Sequence, residues 1–327
     1  PMVTARITGT GAYAPERVVT NDELSKKIET TDEWIFSRTG IKNRHIARDD
    51  EQTSDMAHQA ALRALDMAGL KAKDLDLIVV GTISGDMPMP ACAAFLQHKL
   101  GARCAAFDVS AACAGSIFGL SIADKFIRTG AAKHVLVIGV ELLSRLLDWE
   151  DRNTCVLFGD AAGAMIVSAS DDPARGLLTT RIYTDGSQTG ILNIPGGGSV
   201  NPASHDVIEK RLHKVKMNGR EVYKFAVRSL ADVVEEMLLD QKMTAEQVDH
   251  VVPHQANIRI VDAVLERLMI PKNKAILNIE RFGNTSSASV PVTLDEGVRS
   301  GRIKQGDVLV MMAVGAGMSW GGALVRW

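Results

Sequence analysis

The sequence predicts an α/β fold made of two duplicated halves, with mixed, mainly parallel sheets covered by helices. Three observations predict it. Apolar runs of strand length alternate with amphipathic runs of helix length, the pattern of a parallel sheet covered on both faces. A series of short motifs in residues 75–170 recurs in the same order further along, the mark of an internal duplication. The chain has 327 residues, 46% of them hydrophobic and 23% charged, enough for two core-bearing units. The predicted division is residues 1–170 and 171–327.

The first half reads as follows. Thr20-Asn-Asp-Glu23 is a capping-box pattern opening a short helix. A second short helix lies within residues 30–40 and is closed by Gly40. Trp34 and Arg38, four apart, share its face, either as a sandwich for a flat ring or as a packed Trp covered by a snorkelling Arg, the commoner use. An amphipathic helix from Thr53 to Ala68 ends at Gly69, and 75–80 is an apolar strand. Residues 90–100 read as a helix and 107–109 as the end of a buried strand. Ile117, Leu120, Ala123 and Phe126 then recur at helical spacing up to Gly130, and 134–140 is again an apolar strand. A polar loop at 148–154 precedes the last strand of this half, which ends near Ala169.

Residues 170–216, with the Gly/Pro/Ser-rich stretch Pro195-Gly-Gly-Gly-Ser199, read as a strand, a loop and a surface excursion joining the halves. A long helix covers 219–241. Then the pattern repeats: strand 248–254 mirrors 75–81, a helix covers 257–268, and 275–279 is a strand leading through Phe282-Gly-Asn-Thr-Ser to a helix. Arg299-Ser-Gly301 ends that helix as Arg128-Thr-Gly130 ends its counterpart. Val308-Leu-Val echoes Val135-Leu-Val, and Gly322-Ala-Leu-Val echoes Gly163-Ala-Met-Ile-Val. The 171-residue offset between Gly130 and Gly301 carries Cys113 onto Asn284.

Composition excludes some functions. A net charge of −2 leaves no electrostatic footprint for nucleic acid or an anionic membrane. Cys92, Cys104, Cys113 and Cys155 form no CxxC pair and no metal-ligand spacing, so no metal is expected, and they suit a reducing cytoplasm. The sequence shows no leader pattern and no apolar run of membrane-spanning length, and Pro1 ahead of Met2 reads as the scar of a cleaved tag.

Three polar residues fall on one predicted sheet edge. Cys113 sits where a strand turns into a helix, among Ser110, Ala111, Ala112, Ala114 and Gly115. Free N–H groups and the helix dipole there favour a thiolate nucleophile, whereas a free cysteine is more often a core residue. His254 ends the strand equivalent to the one ending at Gly81, the edge where open parallel sheets bind ligands. Alone, His254 could be a turn residue and Asn284 an N-cap or turn residue. Together the three point to one shared site. Gly315-Ala-Gly317 after the last apolar run is a small-residue turn able to bring a backbone N–H near a reacting carbonyl.

Ile7-Thr-Gly-Thr-Gly11, Thr30-Thr-Asp-Glu-Trp34, Arg38-Thr-Gly40, Ala111-Ala-Cys-Ala-Gly115, Phe158-Gly-Asp160, His254-Gln-Ala-Asn257, Gly283-Asn-Thr285 and Trp320-Gly occur in an order that resembles the β-ketoacyl-acyl-carrier-protein synthase III family of the thiolase superfamily. The resemblance runs nearly end to end. It implies a five-layered αβαβα fold, usually homodimeric, and a ping-pong reaction that opens fatty acid synthesis. In it, Cys113 takes the acyl group of an acyl-coenzyme A, and malonyl-acyl carrier protein is decarboxylated and condensed with it. His254 and Asn284 would donate to the enolate oxygen, and the N–H groups of Cys113 and Ala316 would form the oxyanion hole. Coenzyme A enters as thioester substrate, and no further cofactor is implied.

The same resemblance carries Thr30, Trp34, Arg38 and Arg152 over as nucleotide-binding residues, reversing the packed reading of Trp34. Asn257, taken as one helical turn after His254, would serve the pantetheine arm or a structural water. Lys224 and Arg259 match carrier-protein docking positions. Met89, Tyr223 and Val314 match the acyl pocket, the Met87-Pro-Met-Pro90 segment reaching it across the dimer. Val314 stands where many members carry a bulky aromatic, Ala316 replaces a common Gly, and Glu266 stands where some relatives have Lys. A small residue near the sulfur and Met in the wall suggest a primer wider than acetyl. The rival readings are a synthase III-like enzyme of specialised metabolism with an unusual primer or acceptor, and a non-catalytic acyl-binding homologue. A thiol hydrolase lacks a carboxylate to orient His254 as base.

Overall fold

Caps and glycines set the element ends. The computed structural model describes residues 3–327, so the tag-scar reading of Pro1 lies outside the described residues. The chain opens with β1 (Thr4–Tyr13), β2 (Arg17–Thr20), α1 (Asn21–Ser25), α2 (Asp32–Thr39) and β3 (Asn43–Ile46). Thr20 and Thr31 cap α1 and α2, each side-chain oxygen accepting the N–H three residues on, from Glu23 and Trp34. Next come α3 (Thr53–Ala68), β4 (Leu77–Gly81), α4 (Cys92–Leu100), β5 (Ala105–Val109), α5 (Gly115–Arg128), β6 (His134–Glu141) and β7 (Ala161–Ser170). The second half has β8 (Gly176–Thr184), then an excursion holding β9 (Leu192–Asn193), α6 (His205–Glu209) and β10 (Lys216–Met217). It closes with α7 (Gly219–Asp240), β11 (His250–Pro253), α8 (Ile258–Leu268), α9 (Ile279–Phe282), α10 (Ser289–Arg299), β12 (Val308–Gly315) and β13 (Ser319–Arg326).

The duplication is visible in the sheets. One is ordered β1-β7-β6-β4-β5 and the other, read the same way, β8-β13-β12-β11. In each, the first two pairings are antiparallel and the rest parallel. Antiparallel pairing therefore takes a larger share than strand–helix alternation predicts. The three residues between β12 and β13 are too few for a parallel crossover. Smaller details repeat too: Arg128 Nε donates to Asp124 Oδ1 at 2.7 Å, and Arg299 Nε donates to Asp295 Oδ1 at 2.7 Å.

The layers follow from which faces are apolar. Helices α5 and α10 lie between the sheets, α3 and α4 cover the outer face of the first sheet, and α7 and α8 cover that of the second. Ile117, Leu120, Val290 and Leu294 of the central helices pack with Val79 and Val137 of one sheet and Leu309 and Met311 of the other. Burying such a side chain contributes about 1.5–3 kcal/mol. The end of β4 meets the start of α5 backbone to backbone, since a Cβ at Gly81 would collide with Gly115. That contact sets the height of the Cys113 turn over the first sheet.

Two strand expectations are corrected. The 105–109 strand is half-buried rather than buried, because β5 is the last strand of its sheet. Residues 275–279 form no strand: Ala275 makes one parallel bridge to Val251, and α9 starts at Ile279. The ladder stops because Pro253 has no N–H to continue it. The Gln255 side chain takes over, donating to the Pro253 and Ile276 carbonyls at 3.0 and 3.1 Å and accepting the Asn278 and Ile279 N–H groups at 3.1 and 3.2 Å. No helix among the described residues is long and apolar enough to cross a membrane.

Candidate active site

Cys113 stands on a single 3₁₀ turn, Ala112–Ala114, that joins β5 to α5. Ala112 is left-handed (φ 47°), a strain a non-glycine residue holds only where its surroundings fix it. The surroundings here include Gly315 at the end of β12, where a Cβ would collide with the Cys113 amide nitrogen. Burial works against the thiolate that the helix start favours. Cys113 is 6% exposed, and burial pushes its thiol up to about 12. The Ser286 hydroxyl pulls the other way, and the Glu141 charge adds to the rise. Lost hydration is the largest of these influences, and it works against the charged form.

His254 follows Pro253 at the end of β11, its amide donating to the Met312 carbonyl at 2.8 Å. It is 3% exposed, and burial lowers its ring to about 3, so it is neutral at physiological pH. Nδ1 is buried with no partner. A buried N–H without an acceptor is rarer than an unmatched acceptor, so the proton belongs on Nε2. Asn284 lies at an isolated bridge to Phe158, between the Leu157 carbonyl that accepts its N–H and the Gly159 N–H that its carbonyl accepts. Its side-chain oxygen accepts the Ser286 amide at 2.8 Å, which makes the –NH2 the donating end; that group reaches the Ala256 carbonyl at 3.5 Å.

Cys113 lies at the junction of two cavities. The larger, about 730 Å³, is an open cleft whose lining includes Cys113, His254 and Asn284. Trp34, Arg38 and Arg152 line it too, and the guanidiniums of Arg38 and Arg152 sit 4.5 and 4.9 Å from the Trp34 ring centre. Arg152 donates to the Glu29 carbonyl and Arg38 to that of Trp34. The smaller cavity, about 280 Å³, is walled by Ile83, Leu143, Phe158, Leu192, Ile194 and Val215, and Cys113, Ser286 and Ala316 line it too.

The remaining candidates scatter. Val314, Tyr223, Lys224, Arg259 and Asn257 line the cleft. Lys224 is paired with Glu221 at 3.2 Å, and Arg259 donates to the Ser37 carbonyl at 2.9 Å. Asn257 is the N-cap of α8, accepting the Arg259 N–H, and so precedes the helix instead of lying a turn along it. Thr30 lines neither cavity; its hydroxyl is buried without a partner, and Thr31 does the capping. Met89 also lines neither cavity of its own chain, being 83% exposed on the loop after β4. Val314 and Tyr223 belong to the cleft and not to the apolar cavity.

Comparison with known proteins decides the family. The 3-oxoacyl-[acyl-carrier-protein] synthase III model matches residues 107–186, and the model of that enzyme's C-terminal part matches 238–327. The β-ketoacyl-[acyl-carrier-protein] synthase III of Xanthomonas oryzae is 49% identical over 324 residues, covering 99% of this chain and 98% of the relative. The chain belongs to the β-ketoacyl-acyl-carrier-protein synthase III family. Among solved structures, the 3-oxoacyl-[acyl-carrier-protein] synthase III of Aquifex aeolicus is 46% identical with a TM-score of 0.91, covering 99% of this chain and all of that one. The priming β-ketosynthase of the R1128 polyketide pathway is 37% identical with the same TM-score, covering 99% and 96%. Membership makes the chain a thiolase-fold condensing acyltransferase.

For this synthase III family member, sequence reasoning missed two groups of site residues. The apolar cavity wall is one: Ile83, Leu143, the Leu192–Ile194 pair and Val215 come from four separate segments, and only Phe158 lay in a recognised motif. The supposed surface excursion supplies three of them. The other is Glu141, fully buried at the end of β6, whose signal was a lone acid closing an apolar strand.

Proposed function

We propose that the chain starts acyl chains by condensing an acyl-coenzyme A primer with malonyl-acyl carrier protein, Cys113 carrying the acyl group between the two half-reactions. The observation that carries this is the position of Cys113 at the meeting point of a polar-mouthed cleft and an apolar cavity. The thiol attacks the primer thioester, coenzyme A leaves, and the acyl chain lies in the apolar cavity. The oxyanion sits against the N–H groups of Cys113 and Ala316. After malonyl enters, Nε2 of neutral His254 and Nδ2 of Asn284 donate to the thioester oxygen as carbon dioxide leaves. Each donor aimed at that growing charge is worth roughly 3–4 kcal/mol. The carbanion then attacks acyl-Cys113. Trp34, with the guanidiniums of Arg38 and Arg152 4.5 and 4.9 Å from its ring centre, is the platform for the adenine ring. Lys224 and Arg259, which line the cleft too, are the carrier-protein contacts.

The reading extends to assembly and place. Strand β5 ends its sheet with an open edge, and exposed Met87 and Met89 lie on the loop before α4. An open edge of this kind is suited to pairing with a second copy, and we assign the homodimer to it. Four free cysteines fit a reducing cytoplasm. Incubating the protein with acyl-coenzyme A and weighing it intact tests the nucleophile: the acyl mass should appear, and should be lost in Cys113→Ala. Acylation of Cys113→Ala overturns the assignment.

A second reading concerns the primer. A cavity of about 280 Å³ holds about nine heavy atoms at the volume a water occupies, where acetyl needs three. That favours a longer or branched primer, as in a specialised synthase. Acylation by acetyl-coenzyme A alone, with branched and longer thioesters inert, rejects it.

A further inference from the structure

No step of the reaction uses Glu141, yet it lies wholly buried at the end of β6. Its four partners are uncharged donors. Oε1 accepts the Thr82 hydroxyl at 2.8 Å, the Ile83 N–H at 2.8 Å and the Ser84 hydroxyl at 2.9 Å. Oε2 accepts the Ser286 hydroxyl at 2.6 Å. Burial raises the carboxyl, and each of the four donors pulls it back towards the ionised form. A carboxylate buried on uncharged donors alone is costly to the fold, which directs attention to what it holds.

The fourth donor leads to Asn284. Ser286 opens the 3₁₀ turn Ser286–Ala288 that runs into α10, and its backbone is left-handed (φ 54°). Serine holds that conformation at a cost, and only where its neighbours fix it. In it the Ser286 N–H donates to Oδ1 of Asn284 at 2.8 Å. Nδ2 of Asn284 makes a longer contact, 3.5 Å to the Ala256 carbonyl, so the Ser286 N–H is the firmer hold on the carboxamide. The turn itself does not call for a serine. Its counterpart ahead of α5 opens on Ala112, also left-handed (φ 47°), which has no hydroxyl to give. The Ser286 hydroxyl is thus an addition to the duplicated frame, and it reaches a carboxylate 145 residues away in the other half.

We propose that Glu141 is a positioning residue for the condensation step, aiming the Asn284 carboxamide through Ser286. The proposal rests on the reading of Asn284 as a donor to the malonyl thioester oxygen. Oε2 of Glu141 fixes the Ser286 hydroxyl, the fixed residue presents its N–H to Oδ1 of Asn284, and Nδ2 is turned to the donating side. Neither Glu141 nor Ser286 gains or loses a proton in this role. A donor keeps its full effect on a growing charge only when held within a fraction of an ångström of its place. Without the carboxylate, Ser286 can leave its left-handed conformation, and the carboxamide loses its firmer hold. Acylation of Cys113 does not use the Asn284 donor, so the loss falls on the second half-reaction.

The test compares the two half-reactions in the full-length protein, in Glu141→Gln and in Ser286→Ala, each with and without Asn284→Ala. Acylation from acyl-coenzyme A is read by intact mass, and condensation by single turnover of the pre-acylated protein with malonyl-acyl carrier protein. Glutamine matches glutamate in size, but the three donors at Oε1 keep its oxygen on their side. Its –NH2 then faces Ser286, whose hydroxyl loses its acceptor. In Glu141→Gln the ratio of condensation to acylation rates should fall about tenfold, part of the 10²–10³-fold that a whole oxyanion donor costs. Ser286→Ala should lower the ratio in the same way, and it decides the matter if Glu141→Gln fails to fold. In the Asn284→Ala background neither substitution should lower the ratio further, as a general loosening of the site would. An unchanged ratio in either variant, or an equal further fall without Asn284, overturns the proposal. Condensation by Asn284→Ala at the parent rate overturns the donor role of Asn284 itself, a separate failure.

Discussion

The side-chain oxygen of Asn284 accepts the amide hydrogen of Ser286 at 2.8 Å, and that contact decides which end of the carboxamide donates. Asn284→Asp keeps the accepting oxygen and removes the donor. It should still acylate at Cys113, while condensation falls by about 10²–10³-fold, the cost of one oxyanion donor. Acylation and condensation measured separately on the same preparation check this; equal loss in both would show that Asn284 does not act at the second step.

His254 gives a pH dependence of stability. Its folded value, about 3, lies below its ordinary 6.5, so below pH 6.5 the unfolded chain binds a proton the folded one refuses. Its contribution is complete above pH 6.5 and falls by about 1.4 kcal/mol per unit as pH drops towards 3. Urea unfolding at pH 7 and pH 5 should show His254→Gln losing less than the parent, by roughly 2 kcal/mol. Glu141, raised by burial, shifts stability the opposite way but is common to both proteins.

Trp34 tests the nucleotide platform without touching the chemistry. Trp34→Ala should raise KM for acyl-coenzyme A about tenfold, the effect of losing roughly 1.4 kcal/mol of stacking and cation contacts. The same acyl group on pantetheine, which lacks the nucleotide, should react with both proteins alike. An equal loss on both thioesters would make Trp34 a packing residue.

The apolar cavity can be shortened. Leu143→Trp places a larger ring into the space beyond Cys113. Acylation by acetyl-coenzyme A should persist while eight-carbon primers are lost, read as intact mass after brief incubation. Unchanged use of long primers would place the acyl chain elsewhere.

Much of this was legible along the chain because it depends on neighbours. The cap at Thr20, the helix ends at Gly40 and Gly69, and the Cys113 turn between strand and helix are local signals. The repeat carried Cys113 onto Asn284 because both halves keep one strand order and one helix ending. The motifs named the family before any geometry was known. What tertiary structure alone decided depends on sums over distant residues. Whether Cys113 is a thiol or a thiolate is a matter of lost hydration, and the strands and helices that exclude water from it come from both halves. Glu141 becomes part of the site only because Thr82, Ser84 and Ser286 are brought to it, and Ser286 is 145 residues away. The apolar cavity exists because the 170–216 excursion folds back over the Cys113 edge and lays Leu192, Ile194 and Val215 opposite Ile83 and Leu143. Hydration and enclosure are properties of the packed interior, and no periodicity along the chain encodes them.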